Sequence, residues 1–209
     1  MIVSSNPSDA IEGSQAAPSP WVRRWSHLVP DRGMVLDVAC GRGRHARWFY
    51  EKNHRLALVD RSREAIESIA IPESACEAVV ADIETGPWPF AGRQFDAVVV
   101  TNYLWRPLLP TLLGSLATGG VLIYETFTQG NETVGKPARS DFLLRTGELL
   151  EVCRNLRVVA FEDGFQEGAQ GTLPRFIQRI AAVREAADGP DSFASSSRKF
   201  SRPPRYGLP

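Results

Sequence analysis

Hydrophobic positions in this chain come as short, nearly continuous runs. Val35-Leu36-Asp37-Val38, Leu56-Ala57-Leu58-Val59, Ala97-Val98-Val99-Val100 and Val121-Leu122-Ile123 are each bounded by Gly, Pro, Asp or Asn. Such runs suit strands buried on both faces. They predict strands at 34–38, 55–59, 76–80, 95–101 and 121–127, with two more near 156–162 and 175–183. Helical spacing fills the gaps. Trp21, Val22, Trp25 and Leu28 share one face of a helix that starts near Ser19, with Pro20 in its first turn. Further helices are expected at about 44–52, from an N-cap at Ser62 to about Ile71, from Pro107-Pro110 to about Ala117, and from Thr146 to Val152. Strand and helix in alternation predict a doubly wound α/β sheet, whose ligand binds at the carboxyl ends of the strands.

A length of 209 residues allows one domain with a sizeable core. The pattern places that domain at 19–185. Residues 1–18 are rich in Ser, Pro, Asn and Ala without periodicity, and 186–209 in Ser, Pro and Gly, so both read as disordered tails. The 24 basic and 24 acidic residues cancel, leaving no global field toward nucleic acid or anionic lipid. No apolar run approaches the roughly 18 residues of a membrane helix, and Met1 to Pro20 has no signal-peptide pattern. Cys40, Cys76 and Cys153 form an odd, scattered set without C-x-x-C, which suits a reducing cytoplasm and predicts no metal site.

The candidate chemistry begins where the first run ends. Val35 to Val38 opens into Ala39-Cys40-Gly41-Arg42-Gly43-Arg44, and the second run ends in an acid, Asp60. A strand, a glycine turn, a helix and an acid-tipped strand describe a nucleotide-type cofactor site. Gly41-Arg42-Gly43-Arg44-His45-Ala46 fits the G-x-G-x-x-A dinucleotide pattern, an NAD reading. Against it stands Asp37, whose carboxylate at the first strand's end would repel a pyrophosphate. S-adenosylmethionine has no phosphate and carries two cationic groups, so the acid favours it. Asp60 would accept the ribose hydroxyls with either cofactor.

Here the chain resembles the class I S-adenosylmethionine-dependent methyltransferases. Asp37-Val38-Ala39-Cys40-Gly41-Arg42-Gly43 stands where that family has D/E-x-G-x-G-x-G, with Ala39 replacing the first glycine. Asp60, Ala81-Asp82-Ile83, the Trp88-Pro89-Phe90 before the fourth strand, and Gly119-Gly120 before the fifth match later motifs in order. Asn102-Tyr103-Leu104-Trp105-Arg106-Pro107 and Tyr124-Glu125-Thr126-Phe127 look most like small bacterial members related to the tellurite-resistance methyltransferases. The resemblance implies a mostly parallel seven-stranded sheet whose last strand inserts antiparallel beside the fifth. It implies S-adenosylmethionine bound by Asp37, Ala39, Cys40, Gly41, Gly43, Asp60, Arg61, Asp82, Ile83, Thr101 and Asn102, with S-adenosylhomocysteine as product. Asp82 and Ile83 would meet the adenine.

The acceptor is less determined. Tyr103 follows the fourth strand, where the methyl group should point; with Arg106, Phe127 and Arg139 it makes up the candidate acceptor site. Tyr103, Glu125 and His45 are the local candidates for a general base, Glu125 being open to a structural role and His45 to a helix-capping one. Cys40 reads as loop packing, since nothing in sequence is placed to activate its thiol. The loop 128–145 is placed to close over a compact substrate. A small-molecule acceptor is expected. The alternatives are RNA, with Arg198, Lys199, Arg202 and Arg205 as a flexible arm, an NAD-dependent oxidoreductase, and a non-catalytic cofactor-binding protein.

Overall fold

The computed structural model describes residues 17–168, 173–186 and 205–209. Seven strands form one sheet: β1 Met34–Val38, β2 Arg55–Asp60, β3 Cys76–Val80, β4 Phe95–Thr101, β5 Leu116–Phe127, β6 Arg157–Gln166 and β7 Arg175–Val183. Their order is β3-β2-β1-β4-β5-β7-β6. Strands β1 to β5 pair in parallel, and β7 lies antiparallel between β5 and β6. This is the expected doubly wound, mostly parallel sheet. Short helices cover it: α1 Pro20–Trp25, α2 Arg44–Tyr50, α3 Arg63–Glu67, α4 Leu109–Gly114 and α5 Glu148–Val152.

Neighbouring residues of a strand point to opposite faces, so each apolar run feeds two cores. Leu36, Val38, Val59, Val98, Val100 and Leu122 pack with Leu112 of α4 and Leu149 of α5. Val35, Leu58, Ala97, Val99, Val121 and Ile123 pack with Trp21 and Trp25 of α1 and Phe49 of α2. Each fully buried aliphatic side chain contributes about 1.5–3 kcal/mol, which explains why uninterrupted apolar strands are retained. By the same alternation Asp37 and Glu125 fall on the face that α1 and α2 cover. That parity decides their roles.

Some boundaries differ from the sequence expectation. Helix α3 stops at Glu67, short of Ile71, because Ile69 and Ile71 turn inward against the second core. Gly119-Gly120 lies within β5 rather than before it: Gly119 donates to the Arg184 carbonyl and Gly120 accepts from the Arg184 N–H, so the ladder continues through the pair. Gly147, not Thr146, precedes α5, and its N–H is held by Asp163 at 2.9 Å. The expected loose tails fall mostly outside the described residues. Where the second is described, Tyr206 packs against the second core and His27 Nε2 lies 2.9 Å from the Gly207 carbonyl oxygen. Among the described residues, no helix is long and apolar enough to cross a membrane.

Candidate functional site

Val38 lies opposite Val59 in the parallel pair, so β1 and β2 end at one edge and Asp60 stands beside the loop leaving β1. Asp60 Oδ2 accepts the Gly41 N–H and Oδ1 the Ser62 N–H, each at 2.8 Å. Each oxygen keeps a lone pair for a ligand. The loop turns through left-handed angles at Ala39, Gly41 and Gly43, with φ of 53°, 54° and 73°. A Cβ on Gly43 would lie 3.0 Å from Ile69, so glycine is needed there for space as well as for angle. Ala39 holds its angle at a cost of about 1–2 kcal/mol. Ala39→Gly is therefore expected to stabilise the protein by about 0.5–1 kcal/mol, the added freedom of the unfolded chain offsetting part of the relief. The urea midpoint should rise at constant slope; a lower midpoint would mean the methyl group contributes packing that outweighs the strain.

The crevice at this edge has two lobes that share Ala39, Asn102 and Tyr103. The larger, about 370 Å³, is lined by Asp60, Arg61, Ala81, Asp82, Ile83 and Glu84 on one side and by Leu104, Thr126, Phe127, Pro137 and Phe142 on the other. The smaller, about 260 Å³, is lined by Cys40, Gly41, Arg42, Arg44, His45 and Thr101. Asp82 is held in a turn: Thr85 Oγ1 donates at 2.7 Å and the Glu84 N–H at 2.9 Å, which lowers its pKa. Asn102, φ 54°, marks the sharp exit from β4. The Tyr103 hydroxyl has no hydrogen-bond partner, and burial, aided by the Glu84 charge, pushes its pKa well up.

Asp37 and Gly43 line neither lobe. Asp37 lies 1% exposed beneath the loop, with Oδ2 unpartnered, and burial pushes its pKa up to about 7 against the pull of the Arg44 charge. Cys40 is also buried, and burial together with the carboxylates of Asp37 and Asp60 raises its thiol pKa, as suits loop packing.

Two candidate bases are corrected. Glu125 does not face the crevice, because its parity on β5 turns it under α1. Ser19 Oγ donates to Oε1 at 2.8 Å and Arg179 donates to Oε2 at 3.1 Å, so its carboxylate is committed to structure. His45 lines the small lobe, but its Nε2 accepts the Ser19 N–H at 3.2 Å, and burial with the Arg44 charge lowers its pKa to about 3. It stays neutral and occupied.

Two candidate acceptor residues are corrected as well. Arg106 donates to both oxygens of Glu148, at 2.7 and 2.9 Å, and to the carbonyls of Asp141 and Leu143. Arg139 pairs with Asp141 at 2.8 Å and stacks on the Phe142 ring. Neither lines a lobe. Tyr103 and Phe127 do. Arg44, Glu84, Leu104, Thr126, Pro137 and Phe142 were not foreseen. Arg44 follows the glycine loop directly and had a signal in sequence; the others reach the cavity through tertiary packing.

Residues 35–119 match the methyltransferase domain family. None of the curated proteins matches the chain. Among solved structures, TehB from Haemophilus influenzae is 14% identical with a TM-score of 0.62, covering 88% of this chain and 64% of its own. This chain thus spans less than two thirds of that protein. A TehB-like S-adenosylmethionine-dependent methyltransferase from Corynebacterium glutamicum is 17% identical, TM-score 0.58, over 86% of this chain and 100% of its own. The glycopeptide N-methyltransferase MtfA, solved with S-adenosylhomocysteine, is 16% identical, TM-score 0.58, over 86% and 98%. At such identities these likenesses establish the shared fold.

Proposed function

We propose that this chain is a class I S-adenosylmethionine-dependent methyltransferase and that it transfers the methyl group to a small-molecule acceptor by in-line displacement. One observation carries the reading: a two-lobed cavity at the carboxyl ends of β1 to β4 has a hydrogen-bonding acid at one end and, beneath the other, a buried carboxyl with one unpartnered oxygen.

The residues present fit the donor. Asp60 offers its free lone pairs to the ribose hydroxyls, while Arg61, Asp82 and Ile83 enclose the adenine end. Asp37, under the glycine loop, acts on a bound ammonium through its field rather than by contact. Arg44, in the small lobe, is the cation for a methionine carboxylate. When bound, S-adenosylmethionine supplies a methyl group already activated on a sulfonium. The chain's own task is then alignment and exclusion of water. Asn102 and Tyr103, at the junction of the lobes, flank the point of transfer. Glu125 and His45 are occupied and the Tyr103 phenol holds its proton, so none of the three serves as a ready base.

Isothermal titration tests the donor assignment. S-adenosylmethionine and S-adenosylhomocysteine should bind in the micromolar range, roughly −8 kcal/mol, with no saturable NAD binding. NAD binding alone would return the dinucleotide reading. Methyl-label transfer over thiols, phenols, amines, oxyanions and RNA tests the acceptor class; label on RNA alone would replace the small-molecule reading.

A further inference from the structure

We propose, resting on the methyltransferase reading above, that the acceptor is an uncharged aromatic molecule covered by Phe142, with Arg106 as the residue that positions that ring. The outer side of the large lobe is built from Tyr103, Leu104, Thr126, Phe127, Pro137 and Phe142. It offers flat apolar surface with little more than two hydroxyls. Such a wall holds a ring by area and stacking, and the hydroxyls fix its orientation.

Charge excludes the alternative of an anion. The acids of the lobe are Asp60, Asp82 and Glu84, and its one basic residue, Arg61, lies among them. The arginines within the loop 128–145, and Arg106 which grips it, are committed: Arg106 to Glu148, Arg139 to Asp141, Arg145 to Glu148 and Glu151. An incoming oxyanion would meet the like charge of three carboxylates against the single guanidinium of Arg61.

The loop 128–145 is held at its base and beside Phe142. Leu144 donates to the Phe127 carbonyl at 3.0 Å, and Thr128 Oγ1 donates to the Leu144 carbonyl at 2.9 Å. Arg106 grips the carbonyls on either side of Phe142, those of Asp141 at 3.0 Å and Leu143 at 2.8 Å. Phe142 is nevertheless 38% exposed, a large ring held rigidly at a cavity wall without being buried by the protein. In the transfer, the acceptor heteroatom supplies the lone pair, gains the methyl carbon and gives its proton to water, while the sulfonium becomes a neutral thioether.

Protein loaded with S-adenosylhomocysteine, titrated calorimetrically with naphthol and separately with selenite, tests the assignment. Naphthol, uncharged at neutral pH, should bind saturably and selenite should not. Phe142→Ala should weaken naphthol about tenfold while S-adenosylhomocysteine affinity stays within about twofold. Arg106→Gln should do the same, with partial recovery in Arg106→Lys, which keeps the ion pair but cannot span both carbonyls. Phe142→Leu gives the same reading at lower amplitude if the Arg106 variants do not fold. Selenite binding without naphthol binding, or naphthol affinity indifferent to Phe142, overturns the aromatic-acceptor assignment alone. Failure of wild-type protein to bind S-adenosylhomocysteine overturns the methyltransferase reading, and this assignment with it.

Discussion

Replacing Asp60 with alanine should lower the affinity for S-adenosylhomocysteine about a hundredfold, near 3 kcal/mol, while the far-ultraviolet circular dichroism stays native. Two losses combine. In the free protein Asp60 holds the Gly41 and Ser62 N–H groups at 2.8 Å, so the glycine loop and the start of α3 both lose an acceptor. In the complex, the ribose hydroxyls lose the partner to which the remaining lone pairs are assigned. Leaving such groups unpaired costs about 1–3 kcal/mol in all but the wettest surroundings. Asp60→Asn should fall between, since the amide oxygen still accepts while its NH₂ faces a second donor. If Asp60→Ala binds the product like wild type, the ribose is not at the end of β2 and the donor must lie elsewhere in the crevice.

Much of this architecture was legible in the chain. Strands β1 and β4 fall where the apolar runs place them, and β2 extends one residue further, because buried parallel strands leave an uninterrupted signal. Helix α3 was overrun because Ile69 and Ile71 continue an apolar pattern that local spacing cannot distinguish from a chain turning inward. The glycine loop and the acid at the end of β2 were readable for the same local reason: their roles depend on neighbours within one β-α-β unit.

What misled was partnership across the fold. Glu125 looked like an acid at the mouth of the site. Strand parity turns it away, and its partners, Arg179 and Ser19, stand 54 and 106 positions distant in sequence. Arg106 looked like a free loop cation, but Glu148, 42 positions on, takes both of its forward donors. Within the loop 128–145 nothing singled out Phe142, because its place at the cavity is fixed by the carbonyl grip of Arg106 rather than by any pattern of its own.

Asp37→Asn should stabilise the free protein at pH 8 while weakening the donor, and the two effects have one cause. Asp37 is buried with one oxygen unpartnered, and its pKa is raised from 3.8 to about 7, chiefly by burial. Its carboxyl faces Arg44 at the start of α2 and the Ala46 N–H, which favour the ionised form, and Asp60 at the end of β2, which opposes it. A carboxyl whose pKa is higher folded than unfolded contributes stability that is fully present below pH 3.8. That contribution is lost as the pH rises through about 7. The interval corresponds to on the order of 4 kcal/mol of stability given up between pH 4 and pH 8. Asparagine is neutral throughout, so in urea denaturation the variant should gain a few kcal/mol over wild type at pH 8 and almost nothing at pH 4. Donor binding should show the opposite dependence. A cation above the loop favours the ionised carboxylate, so wild-type affinity for S-adenosylmethionine should rise with pH up to about 7 and level off. The variant should bind more weakly, with no such rise. Equal stability of the two proteins at pH 8 would show that Asp37 is ionised and solvated in the free protein, and the buried charge beneath the loop would have to be abandoned as the source of its attraction for the donor.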